Sequence, residues 1–169
     1  MVDIRAETPE DVEAVAQVEH SAFGGPAEAN LVNRLRELGQ LAVSLIAVSE
    51  SRVVGHIAFS PMILSQGSAG LRAVGLAPLA VLPAHQGHGI GSQLVRTGLR
   101  TCAEDSWDLA FVLGEPAYYP RFGFSDALAH GLRWDREAPA GAFMVAELRP
   151  GALGEASGVA RYHAAFDEL

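Results

Sequence analysis

The sequence predicts a mixed α/β fold. Apolar residues recur at helical spacing in three stretches, and β-rich runs fill most of the chain between them. The order of these runs is strand, two helices, three strands, helix, strand, short helix, two strands, which suits a meander leading into a right-handed crossover. The 169 residues are 49% hydrophobic and 19% charged, the balance of one folded domain over residues 1–169 that buries a core without disulfides or metals.

Val2 to Ala6 reads as a strand. Thr8-Pro9-Glu10-Asp11 then opens a helix: Thr8 can cap, Pro9 suits the first helical position, and the acidic pair favours the positive helix end. Val12, Val15, Ala16, Ala22 and Phe23 share a face, and Gly24-Gly25-Pro26 stops the helix. A second helix, Ala27 to Leu38, carries the stripe Leu31, Val32, Leu35 and Leu38 and ends at Gly39. Leu41 to Ser49 and Val53 to Leu64 read as a hairpin turning at Glu50-Ser51. Gln66 to Gly70 reads as a mobile turn before a strand from Leu71 to Leu82. After the turn at Pro83 to Gly91, a helix runs to about Glu104 with Ile90, Leu94, Val95, Leu99 and Cys102 inward. Leu109 to Gly114 is the next strand, Ala117 to Phe122 a single helical turn, and Phe124 and Phe143 to Leu148 two final strands.

A net charge of −8 argues against broad binding to nucleic acid or anionic membranes and leans towards cationic partners such as amines. No apolar run is long enough to span a bilayer, and Met1-Val2-Asp3-Ile4-Arg5 lacks the basic start and apolar stretch of a signal peptide. A cytoplasmic protein is therefore expected. The single cysteine, Cys102, excludes an internal disulfide and sits at a core position of its helix. The six histidines are scattered without the close spacing of zinc ligands, so no metal is expected.

The strongest chemical signal is Gln86-Gly87-His88-Gly89-Ile90-Gly91, between a strand and a helix. Glycine allows positive φ and close approach to a ligand. The first helical amides lack intrahelical partners and sit at the positive dipole end, an anion site suited to pyrophosphate. A bare helix cap is the plain alternative. A P-loop would need Lys then Ser or Thr, whereas Gly91-Ser92-Gln93 has no lysine. A dinucleotide fingerprint would need glycine where Ser92 stands. Upstream, Pro78 cannot donate a ladder hydrogen bond, so pairing is interrupted or at an edge there. Amides at Leu79 to Leu82 left unpaired by such a break would need another acceptor, which a ligand's amide arm could supply.

These residues resemble the GCN5-related N-acetyltransferase (GNAT) superfamily. Leu79 to Leu94 is similar to its acetyl-CoA motif, with Gln86, Gly89 and Gly91 at the defining places, and Tyr118-Tyr119-Pro120-Arg121-Phe122-Gly123-Phe124 resembles its second signature. Val112 to Phe124, the helix carrying Glu28-Ala29, Leu31-Val32 and Leu35-Arg36, and the tail Gly158 to Phe166 resemble the YhbS-like subgroup of small bacterial acetyltransferases, so the resemblance covers essentially the whole chain. It implies a twisted mixed sheet of about seven strands flanked by helices, with the fourth and fifth strands splayed.

It further implies direct transfer of the acetyl group of acetyl-CoA to an amine, with no enzyme nucleophile. The amides of Leu79, Ala80, Val81 and Leu82 would hold the pantetheine arm, and Gln86, Gly87, His88, Gly89, Ile90, Gly91 and Ser92 the pyrophosphate. Tyr119 would be the general acid for the thiolate, with Tyr118 as packing. Arg121 would bind an acidic group or pair at the surface. Many members carry a glutamate on the fourth strand, but Gly75-Leu76-Ala77-Pro78-Leu79 has no carboxylate. Glu28 is the candidate base; His56 is a second, read more readily as structural. Glu115 and His85 read as loop residues. The acceptor would be a small-molecule or peptide amine, and the resemblance allows a homodimer. A non-catalytic acyl-CoA-binding or sensing module is the alternative function.

Overall fold

The computed structural model describes every residue except Ala69 and the side chain of Gln66. β1 (Asp3–Ala6) leads through a short 3-10 turn to α1 (Val12–Phe23) and α2 (Ala27–Glu37). The start of α1 is secured differently from the expected threonine cap. The Asp11 carboxylate reaches back to the amide of Thr8 (2.7 Å) and its hydroxyl (3.0 Å), and Arg5 binds it from β1 at 2.8 Å.

β2 (Val43–Ser49) and β3 (Arg52–Pro61) form the expected hairpin, and Glu50 and Ser51 both take positive φ, 49° and 64°. That conformation matches the twist of a two-residue hairpin turn. Next come β4 (Ile63–Leu64), β5 (Ala73–Val81), α3 (Ile90–Glu104), β6 (Leu109–Leu113), β7 (Ser125–Asp126), β8 (Leu132–Trp134), β9 (Phe143–Glu147) and β10 (Gly158–Arg161). A seven-stranded sheet runs β1-β2-β3-β5-β6-β9-β7, and only the β5–β6 pair is parallel.

Three readings from the sequence need correction. Ile63-Leu64 does not continue β3; it pairs with β10, which also pairs with β8, in a second sheet of three strands. β8 and β10, of three and four residues, are too short to show a period of two. The segment before β5 is anchored rather than free: Ser68 is buried and its hydroxyl binds the carbonyl of Ser157 at 2.8 Å. Of that segment, Ala69 lies outside the described residues.

α3 covers one face of the large sheet. Gly98 brings it so close to Phe59 that a Cβ would overlap the ring, and Leu94, Val95 and Cys102 pack with Ile57, Leu76 and Val112. α1 and α2 cover the other face through Val15, Val32 and Ile46. The small sheet extends that layer, with Leu132 and Ala160 packed against Phe111 and Val145.

Candidate active site

The site is built where β5 and β6 part. They pair from Ala73↔Leu109 to Leu76↔Val112 and no further. β5 continues for five residues, held only by β3, with a register shift opposite Ala77-Pro78. The interruption inferred from Pro78 is therefore present, as a bulge rather than an edge.

Which amides this leaves free follows from strand geometry. Leu82 donates its amide to Val54 at 2.8 Å, so it is turned towards β3. Successive peptide groups alternate between the two edges of a strand. Ala80, opposite His56, therefore also faces β3, while Leu79 and Val81 face the gap left by β6. Of the four predicted residues, Leu79 and Val81 present amides to the gap, and Ala80 and Leu82 contribute buried side chains. On the gap side, the Val81 carbonyl receives the Gln86 side chain at 3.0 Å, which fixes the strand to the glycine turn.

The turn opens α3 with Gly87 at φ 79° and Gly89 at φ 81°, values that side chains rarely tolerate. A Cβ at either glycine would meet no atom within 4 Å, so space is open above the turn. Gln86, Gly87, His88 and Gly89 are exposed, whereas the Ile90 side chain is buried, so Ile90 can offer only its backbone. His88 bonds the His85 carbonyl through Nδ1 at 3.2 Å, and the buried Nδ1 of His85 has no partner among the described residues. A cleft of about 230 Å³ here is lined by Val81, Gln86, Gly89, Gly91, Ser92 and Tyr118. A larger hollow of about 500 Å³, lined by Glu7, Arg36, Ser44 and Thr101, lies at the other end of α3. The fifteen residues of that helix separate the two by about 20 Å.

Tyr118, which lines the cleft, is the residue that leads into a 3-10 turn at Tyr119–Phe122. Tyr118, read from the sequence as packing, also bonds the Ser92 hydroxyl at 3.0 Å. Arg121 bonds the Tyr118 carbonyl at 2.7 Å and lies over that ring at 4.5 Å, and among the described residues it makes no ion pair. Tyr119 packs edge-on against Tyr118, Phe122 and Phe124, over Gly114, where a Cβ would overlap its ring. Burial, with a smaller effect from Tyr118, pushes its phenol up to about 12, so it carries its proton throughout the neutral range.

The candidate bases fall on the opposite face. His56 is fully buried, with Nδ1 2.6 Å from Glu19 and Nε2 2.8 Å from the Ser44 hydroxyl. The chain of contacts continues from Ser44 to Glu7 and from Glu7 to Arg36 at 2.8 Å. With both ring nitrogens taken up inside the fold, His56 is structural. Glu19 itself gave no signal in the sequence beyond its helical position. Burial pushes its carboxyl above the ordinary range against the opposing pull of His56, and nearby Glu28 adds to the rise. Glu28 stands half-exposed in the first turn of α2. Among the described residues, no group of three or more His, Cys, Asp or Glu could hold a metal ion.

Comparison with known proteins agrees with this geometry. The sequence profile described as "Acetyltransferase (GNAT) domain" matches residues 3–127. The uncharacterized N-acetyltransferase YhbS of Escherichia coli (strain K12) is 40% identical over 167 residues, covering 98% of this chain and 99% of that protein. A crystal structure of the E. coli GNAT family N-acetyltransferase YhbS in complex with CoA superposes with a TM-score of 0.92 at 38% identity, covering 98% of this chain and 92% of that one. A Brucella melitensis GNAT family acetyltransferase in complex with acetyl-CoA gives a TM-score of 0.79 at 34% identity, with 99% of each chain covered. With the family pattern matched over most of its length and relatives aligned nearly end to end, this chain belongs to the GNAT acetyltransferase family.

Proposed function

We propose that the chain is an N-acetyltransferase that moves the acetyl group of acetyl-CoA directly to an amine. The observation that carries this is the alignment of three features along one gap. The glycine-turn amides lie at one end, the Leu79 and Val81 amides along the side, and Tyr119 over Gly114, just past the end of β6. The CoA and acetyl-CoA complexes of the two similar structures support the same reading.

In this mechanism the turn from Gly87 to Ser92 holds the pyrophosphate through backbone donors, which is why a protein of net charge −8 can still bind it. The Val81 amide holds the pantetheine arm, and the Leu79 amide polarises the thioester carbonyl. The amine nitrogen forms a bond to the carbonyl carbon, the carbon–sulfur bond breaks, and the sulfur takes a proton from the Tyr119 hydroxyl. The proton lost by the amine passes to Glu28, directly or through water. Net negative charge favours a cationic small-molecule or peptide acceptor. We place the enzyme in the cytoplasm as one domain over residues 1–169, able to pair as a homodimer; among the described residues no helix is long and apolar enough to cross a membrane.

Thermal unfolding with acetyl-CoA, coenzyme A, NAD and ATP, each alone, tests the binding site. At about a hundred times its dissociation constant a ligand stabilises the fold by roughly 2.7 kcal/mol. Stabilisation by the two coenzyme A species alone supports the proposal; no shift with either rejects it. Thiol release over an amine panel then separates an enzyme from a binding module.

A further inference from the structure

The blind end of the gap is closed by a residue from the far end of the chain. Beyond β10, Tyr162 crosses β5 on the face opposite α3. Gly75 makes room for it, since a Cβ there would lie 2.9 Å from Tyr162 Cδ1 and 2.6 Å from Met62 Sδ. The Tyr162 hydroxyl donates to the carbonyl of Leu76 at 3.2 Å, and Leu76 is the last β5 residue paired with β6. The Ala73 carbonyl accepts from the Met62 amide on the β3 side, so by alternation the Leu76 carbonyl is turned to the β6 side. The hydroxyl therefore sits in the fork, between the two strands at the point where they separate.

Alternate residues place Tyr119 and Tyr162 on opposite faces. Tyr119 packs with Leu76 and Val112, and Tyr162 with Ala73 and Phe111. Burial pushes the Tyr162 phenol up, with a smaller rise from Tyr119. Phe166 braces the Tyr162 ring at 4.6 Å between centroids.

A coenzyme held at the glycine turn runs along Val81 and Leu79 towards this fork. With the thioester carbonyl at the Leu79 amide, the register shift leaves only the two β3 steps from Ile57 to Phe59, about 7 Å, between it and Leu76, so an acyl chain of several carbons meets Tyr162. We propose that Tyr162, seated over Gly75, sets the length of acyl chain this enzyme accepts and admits acetyl while excluding longer chains. This rests on the acetyltransferase reading above.

The test is calorimetric affinity for coenzyme A, acetyl-CoA, butyryl-CoA and hexanoyl-CoA, which requires no acceptor. In the unaltered protein hexanoyl-CoA is expected to bind at least about tenfold more weakly than acetyl-CoA, the scale of forcing methylenes into a packed site. Tyr162→Ala should shrink that gap to about threefold while leaving coenzyme A affinity unchanged, and Tyr162→Phe, which keeps the ring, should preserve it. Tyr162→Leu, which keeps an apolar plug against Met62, gives the same readout should the alanine variant not fold. Equal affinities for acetyl- and hexanoyl-CoA in the unaltered protein would overturn the gate. So would an unchanged gap in a folded Ala or Leu variant. Failure of coenzyme A itself to bind would instead overturn the acetyltransferase reading.

Discussion

Replacing Tyr119 by Phe removes one oxygen and leaves the ring. The edge-on contacts to Tyr118, Phe122 and Phe124, at centroid distances of 5.1, 6.2 and 5.8 Å, survive, so melting temperature and coenzyme A affinity should hardly move. What is lost is the proton donor. General acid–base catalysis contributes about 10²–10⁴-fold. A phenol at about 12 gives up its proton less readily than a thiol near its ordinary value of ~8.5, so the low end of that range applies. Turnover should fall about a hundredfold, or about 2.7 kcal/mol of barrier. The assay is thiol release with the best amine from the panel. Cys102 does not interfere: it is fully buried, and burial, then Asp105, pushes its thiol up to about 12. The pH profile of turnover should show no limb from this phenol below about pH 10. Turnover within about threefold of the unaltered enzyme would refute the role of Tyr119, because a lost proton donor costs far more.

Three further outcomes are expected. Gly89→Val puts a branched residue at φ 81°, which costs about 1–3 kcal/mol of strain and disturbs the first amides of α3, so acetyl-CoA affinity should drop at least about tenfold; calorimetry showing retained affinity would count against the phosphate turn. Glu28→Gln should lower kcat/KM about a hundredfold with coenzyme A affinity unchanged, and a kcat/KM within about threefold of the unaltered enzyme would send the search for the base elsewhere. Asp11 is held well below its ordinary 3.8, chiefly by the Arg5 hydrogen bond. Its stabilisation is complete above the unfolded value and is lost as pH falls through the lower folded one; urea unfolding of Asp11→Ala should therefore show a stability deficit near pH 6 that shrinks below about pH 4, and a deficit constant with pH would refute this.

The backbone of the glycine turn and the break at Pro78 were legible because their signals are local. Gly87 and Gly89 need positive φ, Gly91 and Ser92 begin a helix, and Pro78 breaks a ladder; each effect acts within a few residues of the one that causes it. The same locality explains the errors. Leu79 to Leu82 read as four equivalent amides, since the parity that turns Leu82 and Ala80 towards β3 is set by register with a distant strand. The break after Pro61 and the short strands β8 and β10 depend on pairing across up to about a hundred residues of chain and leave no periodic trace.

The sequence by itself determined most of the alternation of helices and strands and the glycine turn that opens α3, because backbone conformational preference and hydrophobic period are properties of neighbouring residues; Tyr119 as candidate acid came from the family resemblance. Only the tertiary structure decided what stands around them. It buried His56 between Glu19 and Ser44, which removes it as a free base. It also brought Tyr162 over Gly75, eighty-seven positions apart, to close the fork opposite Tyr119. The reason is physical: burial, and the pairing of polar groups that burial demands, depend on which surfaces meet when the layers pack.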